Sequence, residues 1–83
     1  MRRVTDVRAL PLFRIWVRFE DGVEGEVDLS DMAGIDVFAQ WETPGVFERV
    51  FVDPETWTVA WPGGLDLAPD ALYVDVVNPP ITA

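Results

Sequence analysis

Two stretches near the N-terminus alternate between apolar and polar residues, the pattern of strands that bury one face. The first stretch covers residues 13–19 and the second covers residues 23–29, with Glu20-Asp21-Gly22 between them. The residues that share the apolar face are Phe13, Ile15, Val17, Phe19, Val23, Gly25, Val27 and Leu29. A short segment that ends in Asp-Gly is typical of a hairpin turn, so the two strands are predicted to form one hairpin.

The register of this hairpin follows from keeping apolar side chains together, because a slip of one residue would move every side chain to the other face. A two-residue turn would place Phe19 opposite Glu24. A three-residue loop that ends in a left-handed Gly22 instead pairs Phe19 with Val23. The sequence therefore predicts the second register, which also sets three further pairs: Ile15 with Val27, Arg18 with Glu24, and Arg14 with Asp28.

The remaining pattern adds a strand before this hairpin and a second hairpin after it. Residues 3–10 read as a strand antiparallel to residues 13–19, and residues 50–52 and 57–61 flank the turn Asp53-Pro54-Glu55-Thr56. Proline in the second place of that turn is favoured because its ring presets the backbone dihedral φ. Residues 65–67 form a short extended piece that follows the second hairpin.

Three helical segments are expected between and after these strands. Ser30 can cap a turn that ends at Gly34, while Thr43 and Pro44 can begin a helix over residues 43–50. A further turn begins at Pro69 and runs through Tyr73. The elements together predict an α+β fold, a small antiparallel sheet built from two hairpins plus an N-terminal strand, with one or two short helices. We expect residues 1–77 to form a single domain and residues 78–83 to form a flexible tail.

Charge narrows the class of partner. Fifteen acidic residues against six arginines give a formal net charge of −9, and the arginines are spread along the chain. Nucleic acids require a basic face, so direct nucleic-acid binding is not expected, whereas a small basic protein partner suits an acidic field. The chain has no cysteine and no apolar run of the roughly 20 residues that cross a membrane, which predicts a cytoplasmic protein without membrane contact.

An ordered set of motifs resembles a known bacterial family. The run Trp-Pro-x-Gly-x-Asp-Leu-x-Pro-x-x-Leu-Tyr occupies residues 61–73 and is the most specific part. The other landmarks are Phe19-Glu20-Asp21-Gly22, Val27-Asp28-Leu29, Phe38 and Phe47. Over residues 4–73 the chain thus resembles the domain-of-unknown-function family numbered 2442.

The resemblance implies a small α+β fold with no established activity. It also implies relatives fused to a helix-turn-helix DNA-binding domain, and genes beside those of a second uncharacterised family, numbered 4160. That neighbourhood suggests a toxin and antitoxin pair. We expect no DNA-binding role from the fused relatives here, because these 83 residues contain no helix-turn-helix pattern.

The residue types present argue against catalysis. Without histidine, cysteine or lysine, the chain lacks the usual general base, thiol nucleophile and Schiff-base amine, so we expect no enzyme and no cofactor. Glu24, Glu26 and Asp28 share one strand face, and such oxygens could bridge a calcium ion. The favoured interpretation is a solvated face that pairs with Arg14 and Arg18, so no metal site is predicted.

The aromatic residues and the motif run supply the remaining candidates. Trp16 lies on the charged strand face, where it either meets a partner or is covered by residues 30–41, and covering is favoured. Trp41, Trp57 and Trp61 are expected in the core. Asp66 is expected to accept backbone hydrogen bonds near the Gly63-Gly64 turn, while Tyr73 packs with an outlet for its hydroxyl; the alternative places Asp66 and Tyr73 in a partner-binding groove beside Trp61.

The function predicted from the sequence is a small acidic protein-binding module, with an antitoxin-like role towards a small basic partner as its most concrete form. The alternative is a regulatory domain that senses a ligand or self-associates as a homodimer, using the N-terminal strand or residues 74–77 as a free sheet edge. The candidate partner-binding residues are Trp16, Glu24, Glu26, Asp28, Trp61, Asp66 and Tyr73.

Overall fold

The computed structural model describes residues 3–32 and 36–78. Its strands are β1 (Val4–Leu10), β2 (Arg14–Phe19), β3 (Glu24–Asp28), β4 (Phe51–Val52), β5 (Val59–Trp61) and β6 (Leu65–Leu67). Two 3₁₀ helices, Asp36–Glu42 and Phe47–Arg49, precede β4, and one α-helix, α1 (Pro69–Val77), follows β6. The predicted α+β fold is confirmed. Most of the predicted tail, and part of the turn expected from Ser30 to Gly34, lie outside the described residues.

The first sheet has the strand order β1-β2-β3, and its hairpin has the predicted register. Ile15 lies opposite Val27, and the N–H of Phe19 donates to the carbonyl of Val23 at 2.8 Å. Gly22 closes the loop with a φ of +89°, a left-handed conformation that glycine adopts without steric cost. The two cross-strand positions predicted for this register, Arg18 opposite Glu24 and Arg14 opposite Asp28, are also found.

β1 joins the first sheet to the second. It pairs antiparallel with β2, as predicted, and packs beside β4. The Val4 N–H donates to the carbonyl of Trp57 at 2.9 Å, in the turn between β4 and β5. The second sheet has the order β4-β5-β6, so the extended piece at residues 65–67 is its third strand. The two predicted hairpins therefore lie in two small sheets.

The helical predictions need correction. Residues 43–50 form turns and then the 3₁₀ helix Phe47–Arg49, because Gly45 has a φ of +88° that interrupts any helix begun at Pro44. The 3₁₀ helix Asp36–Glu42 was not predicted. Helix α1 runs on past Tyr73 to Val77, so residues 74–77 are helical and supply no sheet edge. Its Val-Asp-Val-Val sequence reads as strand locally, and packing overrides that weak preference.

The core lies between the inner faces of the sheets and the helical segments, and aromatic rings dominate one end of it. Trp41 packs against Trp61 with ring centroids 4.7 Å apart, and Phe47 contacts both rings. The indole N–H of Trp61 donates to the carbonyl of Phe47 at 2.9 Å, which fixes the second sheet on the 3₁₀ helix. Trp41 Nε1 is buried and has no acceptor within the described ranges. The expectation that Trp41 and Trp61 are core residues is confirmed.

Helix α1 packs closely on the first sheet. Leu72 joins the core, and Val76 lies directly over Gly25 of β3. A Cβ at position 25 would lie only 3.0 Å from Val76 Cγ1, closer than ordinary van der Waals contact. Glycine at this position thus lets the helix approach the strand, and this approach sets the position of the helix surface described below.

Candidate functional site

A groove runs between the β2–β3 turn and α1, with a volume of about 640 Å³. We call it the α1 groove. Apolar side chains and carboxylates both line it: Phe19, Glu20, Asp21, Asp70, Tyr73, Val74 and Val77. The groove exists because a compact hairpin turn and an exposed flank of the helix lie side by side.

Tyr73 ties the two walls of the α1 groove together. Its ring packs edge-on against Phe19, with centroids 4.9 Å apart, and its hydroxyl donates to Asp21 Oδ2 at 2.8 Å. The other carboxylate oxygen of Asp21 accepts the N–H of Val23 at 3.0 Å, which also stabilises the turn. The prediction that Tyr73 packs with an outlet for its hydroxyl is confirmed. These contacts give the groove a preformed shape.

The exposed surface of the α1 groove combines apolar area with negative charge. Val74 is 55% exposed and Val77 is 45% exposed, beside the carboxylates of Glu20 and Asp70. Helix α1 has no lysine or arginine, so no basic side chain of its own offsets the partial negative charge at its C-terminus. Arg3 contacts Glu20 at the margin, with 3.9 Å between nitrogen and oxygen. The groove is therefore an apolar strip in an electronegative setting.

A second surface covers the outer side of the first sheet. We call it the outer sheet face, and its side chains are Arg8, Arg14, Trp16, Arg18, Glu24, Glu26 and Asp28. Trp16 is half-buried there, and the guanidinium carbons of Arg8 and Arg18 lie 5.5 and 5.3 Å from its ring centroid. The residues of segment 30–41 that contact the core, Met32, Phe38 and Trp41, pack on the opposite side of the sheet. The described residues of this segment therefore do not cover Trp16, and two arginines flank its ring.

Each of the three carboxylates on the outer sheet face forms its own ion pair or hydrogen bond. Glu24 pairs with Arg18 at 3.0 Å, and Glu26 pairs with Arg14 at 3.4 Å. Asp28 accepts the N–H of Ser30 at 2.9 Å. Hydrogen bonds from the Ser30 side chain and backbone lower the pKa of Asp28 below its usual value, with a smaller contribution from the Arg14 charge. The interpretation as a solvated face with ion pairs is confirmed.

A metal centre finds no support in the described part of the chain. Among residues 3–32 and 36–78, no three acidic side chains are grouped closely enough to hold an ion. The exposed pairs on the outer sheet face each contribute only about 0–1 kcal/mol to stability.

Three other tryptophan and aspartate predictions have mixed outcomes. Trp61 is 1% exposed, so it cannot contact a partner and leaves the candidate set. Asp66 is exposed and lines a separate depression with Phe38, and within the described residues it accepts no hydrogen bond from the glycine turn. Trp57 is 39% exposed instead of buried, because its φ of +57° places it in the turn before β5. Arg3 lies over its ring at 5.8 Å.

The structure therefore separates the candidates that the sequence grouped. Trp16, Glu24, Glu26 and Asp28 do share one face, whereas Tyr73 lies in the α1 groove. The groove residues that sequence reasoning missed are Glu20, Asp21, Asp70, Val74 and Val77. The sequence carries a signal for two of them, Val74 and Val77. Their spacing of three residues places both on one face of a helix, but only once the helix is known to extend that far.

Comparison with known proteins bears on most of the chain. The family model described as "Protein of unknown function (DUF2442)" matches residues 4–77, which includes every strand and helix described above. The chain belongs to this family. Searches of curated proteins and of solved structures each found no match. For this DUF2442 chain, no helix in the described ranges is long and apolar enough to cross a membrane.

Proposed function

We propose that this DUF2442 protein is a protein-binding module and that the α1 groove receives a small basic protein. The observation that carries the proposal is the exposed pair Val74 and Val77 next to the carboxylates of Glu20 and Asp70. An apolar strip supplies binding energy through burial, and a negative rim selects partners that carry lysine or arginine.

The preformed shape of the groove supports the same proposal. Because Tyr73 and Asp21 already connect helix and turn, a partner would not need to order these elements on binding. Preorganisation of this kind raises affinity by reducing the entropy lost on association. The overall charge of −9 also favours fast encounter with a basic protein.

The most concrete form of this function is an antitoxin-like role. The support is the gene neighbourhood implied by the family resemblance, together with a surface suited to a partner that itself binds nucleic acid. Such a partner has a basic surface that binds nucleic acid. An acidic module bound to that surface would prevent the partner from binding RNA or DNA.

The test begins with affinity purification of the tagged protein from its native host and identification of the bound protein by mass spectrometry. The identified protein is then titrated with the double variant V74S/V77S, for which we expect at least a tenfold loss of affinity. The matched control is Leu12→Ser, because Leu12 is 77% exposed in the β1–β2 turn, outside the groove. Thermal unfolding of each variant shows whether the fold is kept.

Two results would contradict the proposal. Equal affinity of V74S/V77S and wild type would remove the groove from the binding surface. Recovery of no basic protein, together with a neighbouring gene product that is harmless when expressed alone, would end the antitoxin-like form.

A further inference from the structure

The hydrogen-bond pattern of the first sheet leaves one edge of β3 open. In an antiparallel pair, hydrogen-bonded positions alternate with positions whose backbone groups point away from the partner strand. The bonds from Phe19 N–H to Val23 O and from Leu29 N–H to Phe13 O, both 2.8 Å, identify the odd-numbered residues of β3 as those bonded to β2. The backbone N–H and C=O groups of Glu24, Glu26 and Asp28 therefore point outward, away from β2.

The outward backbone groups at the two edges of the sheet differ in their hydrogen-bond partners. On the β1 side, the Val4 N–H is taken by the Trp57 carbonyl and the Val7 N–H by its neighbour Asp6, at a register shift between Val4 and Asp6. On the β3 side, no backbone hydrogen bond beyond the β2 pairing reaches Glu24, Glu26 or Asp28 from the residues described. Within the described residues, β3 is therefore an open edge of the sheet.

Charge decides which strand this edge can accept. A second copy paired antiparallel through β3 would bring Glu24, Glu26 and Asp28 of the two chains together, and like charges in opposite positions are destabilising. Each carboxylate is exposed, and the shortest contacts to Arg14 and Arg18 involve one oxygen of each glutamate. Because these side chains are exposed, a cation that approaches from beyond the edge would reach them on the side away from β2.

We propose that the β3 edge accepts an extended segment of the basic partner as an additional strand, with lysine or arginine at alternate positions. The basic side chains lie beside Glu24, Glu26 and Asp28, while the intervening side chains face the inner side of the sheet. Backbone hydrogen bonds supply affinity in this mode, and alternate side chains supply specificity. The inference rests on the proposed function for the basic character of the partner, and it uses a surface separate from the α1 groove.

The test uses a synthetic probe, the acetylated and amidated heptapeptide Lys-Val-Lys-Val-Lys-Val-Lys, titrated into the full chain and followed by NMR. We expect the backbone amides of Glu24, Glu26 and Asp28 to shift most. The control peptide Glu-Val-Glu-Val-Glu-Val-Glu should shift none of them. Largest shifts elsewhere on the protein, or equal shifts with both peptides, would overturn the inference.

Two variants at one position separate backbone pairing from charge. Glu26→Pro removes the outward N–H without breaking a bond to β2, and proline is tolerated in edge strands whose N–H faces solvent. Glu26→Gln removes the same charge and keeps the donor. We expect Glu26→Pro to weaken peptide binding about tenfold relative to Glu26→Gln, which corresponds to the loss of one backbone hydrogen bond. Equal affinities of the two variants for the peptide would overturn strand addition, because the peptide would then respond only to the charge at this edge.

The natural partner then distinguishes the two proposals. If V74S/V77S weakens its binding and Glu26→Pro does not, the groove function stands and strand addition fails. If Glu26→Pro weakens its binding and V74S/V77S does not, strand addition stands and the groove is wrong. Unfolding curves for each variant identify any loss of binding that comes from loss of the fold, including the case of a proline variant that does not fold. In that case the inference is carried by the peptide-shift map, which a pure charge effect would not confine to the β3 edge.

Discussion

Replacement of Gly25 by alanine tests the packing of α1 on the first sheet. The new methyl group would lie 3.0 Å from Val76 Cγ1, so the two groups must separate by several tenths of an ångström. A valine in a helix has one strongly preferred rotamer, and it cannot rotate away cheaply. We therefore expect the strain to move the whole helix away from β3 instead of being absorbed by one side chain.

The magnitude follows from two opposing effects. Alanine in place of glycine restricts the unfolded chain and would stabilise the protein by about 0.4–1 kcal/mol if it fitted without strain. Overpacking by one methyl group costs about 1–3 kcal/mol. The net expectation for Gly25→Ala is a loss of about 1 kcal/mol in the free energy of unfolding, or about 4–8 °C in Tm for a domain of this size.

A double-mutant cycle with Val76→Ala makes the prediction specific. In the Val76→Ala background the clash is absent, so Gly25→Ala should be neutral or should stabilise by about 0.5 kcal/mol. Urea unfolding followed by tryptophan fluorescence gives all four free energies. An equal effect of Gly25→Ala in both backgrounds would refute the argument from close approach, and so would stabilisation in the wild type.

Three further predictions concern single contacts. Tyr73→Phe removes the hydrogen bond to Asp21 and should lower the free energy of unfolding by about 0.5–1.5 kcal/mol, measured by urea unfolding; no change would mean that the contact is not formed in solution. Leu12→Asn should raise stability by about 0.5–1 kcal/mol, since Leu12 is exposed and holds a φ of +64° that asparagine tolerates better; a fall in Tm would contradict this. Asp28→Asn should destabilise the protein more at pH 7 than at pH 3. The pKa of Asp28 in the folded state lies below the unfolded value of 3.8, so its carboxylate contributes stability at higher pH that is lost as the pH falls through the folded-state pKa. Unfolding curves at both pH values check the sign of this difference.

The hairpin of β2 and β3 could be predicted in detail because two independent constraints agree there. Period-two alternation fixed which side chains share a face, and Gly22 fixed the loop length that keeps Phe19 opposite Val23. The α+β class and the second hairpin followed from the same signals. These are local properties, so they can be read without knowledge of the rest of the chain.

The α1 groove could not be predicted because it depends on contacts between distant parts of the chain. Tyr73 meets Asp21 across 52 positions of sequence, and no local pattern encodes that pairing. The length of α1 was missed for a related reason. Its last turn consists of Val74-Asp75-Val76-Val77, and the packing of Val76 against Gly25 stabilises a helix where propensity alone favours a strand.

The positions of the arginines bear on where the proposed basic partner would bind. Arg8, Arg14 and Arg18 all lie on the outer sheet face, where Trp16 and the neighbouring glutamates already engage them. The two arginines of β2 approach Glu24 and Glu26 from that strand, so in the proposed strand addition the partner's cations would reach the same carboxylates from beyond β3. The α1 groove contains no arginine among its lining residues, and the side chains of Glu24, Glu26 and Asp28 on β3 are exposed. The two proposals therefore place the basic groups of the proposed partner at the α1 groove and beside β3, and the overall charge of −9 would steer its approach.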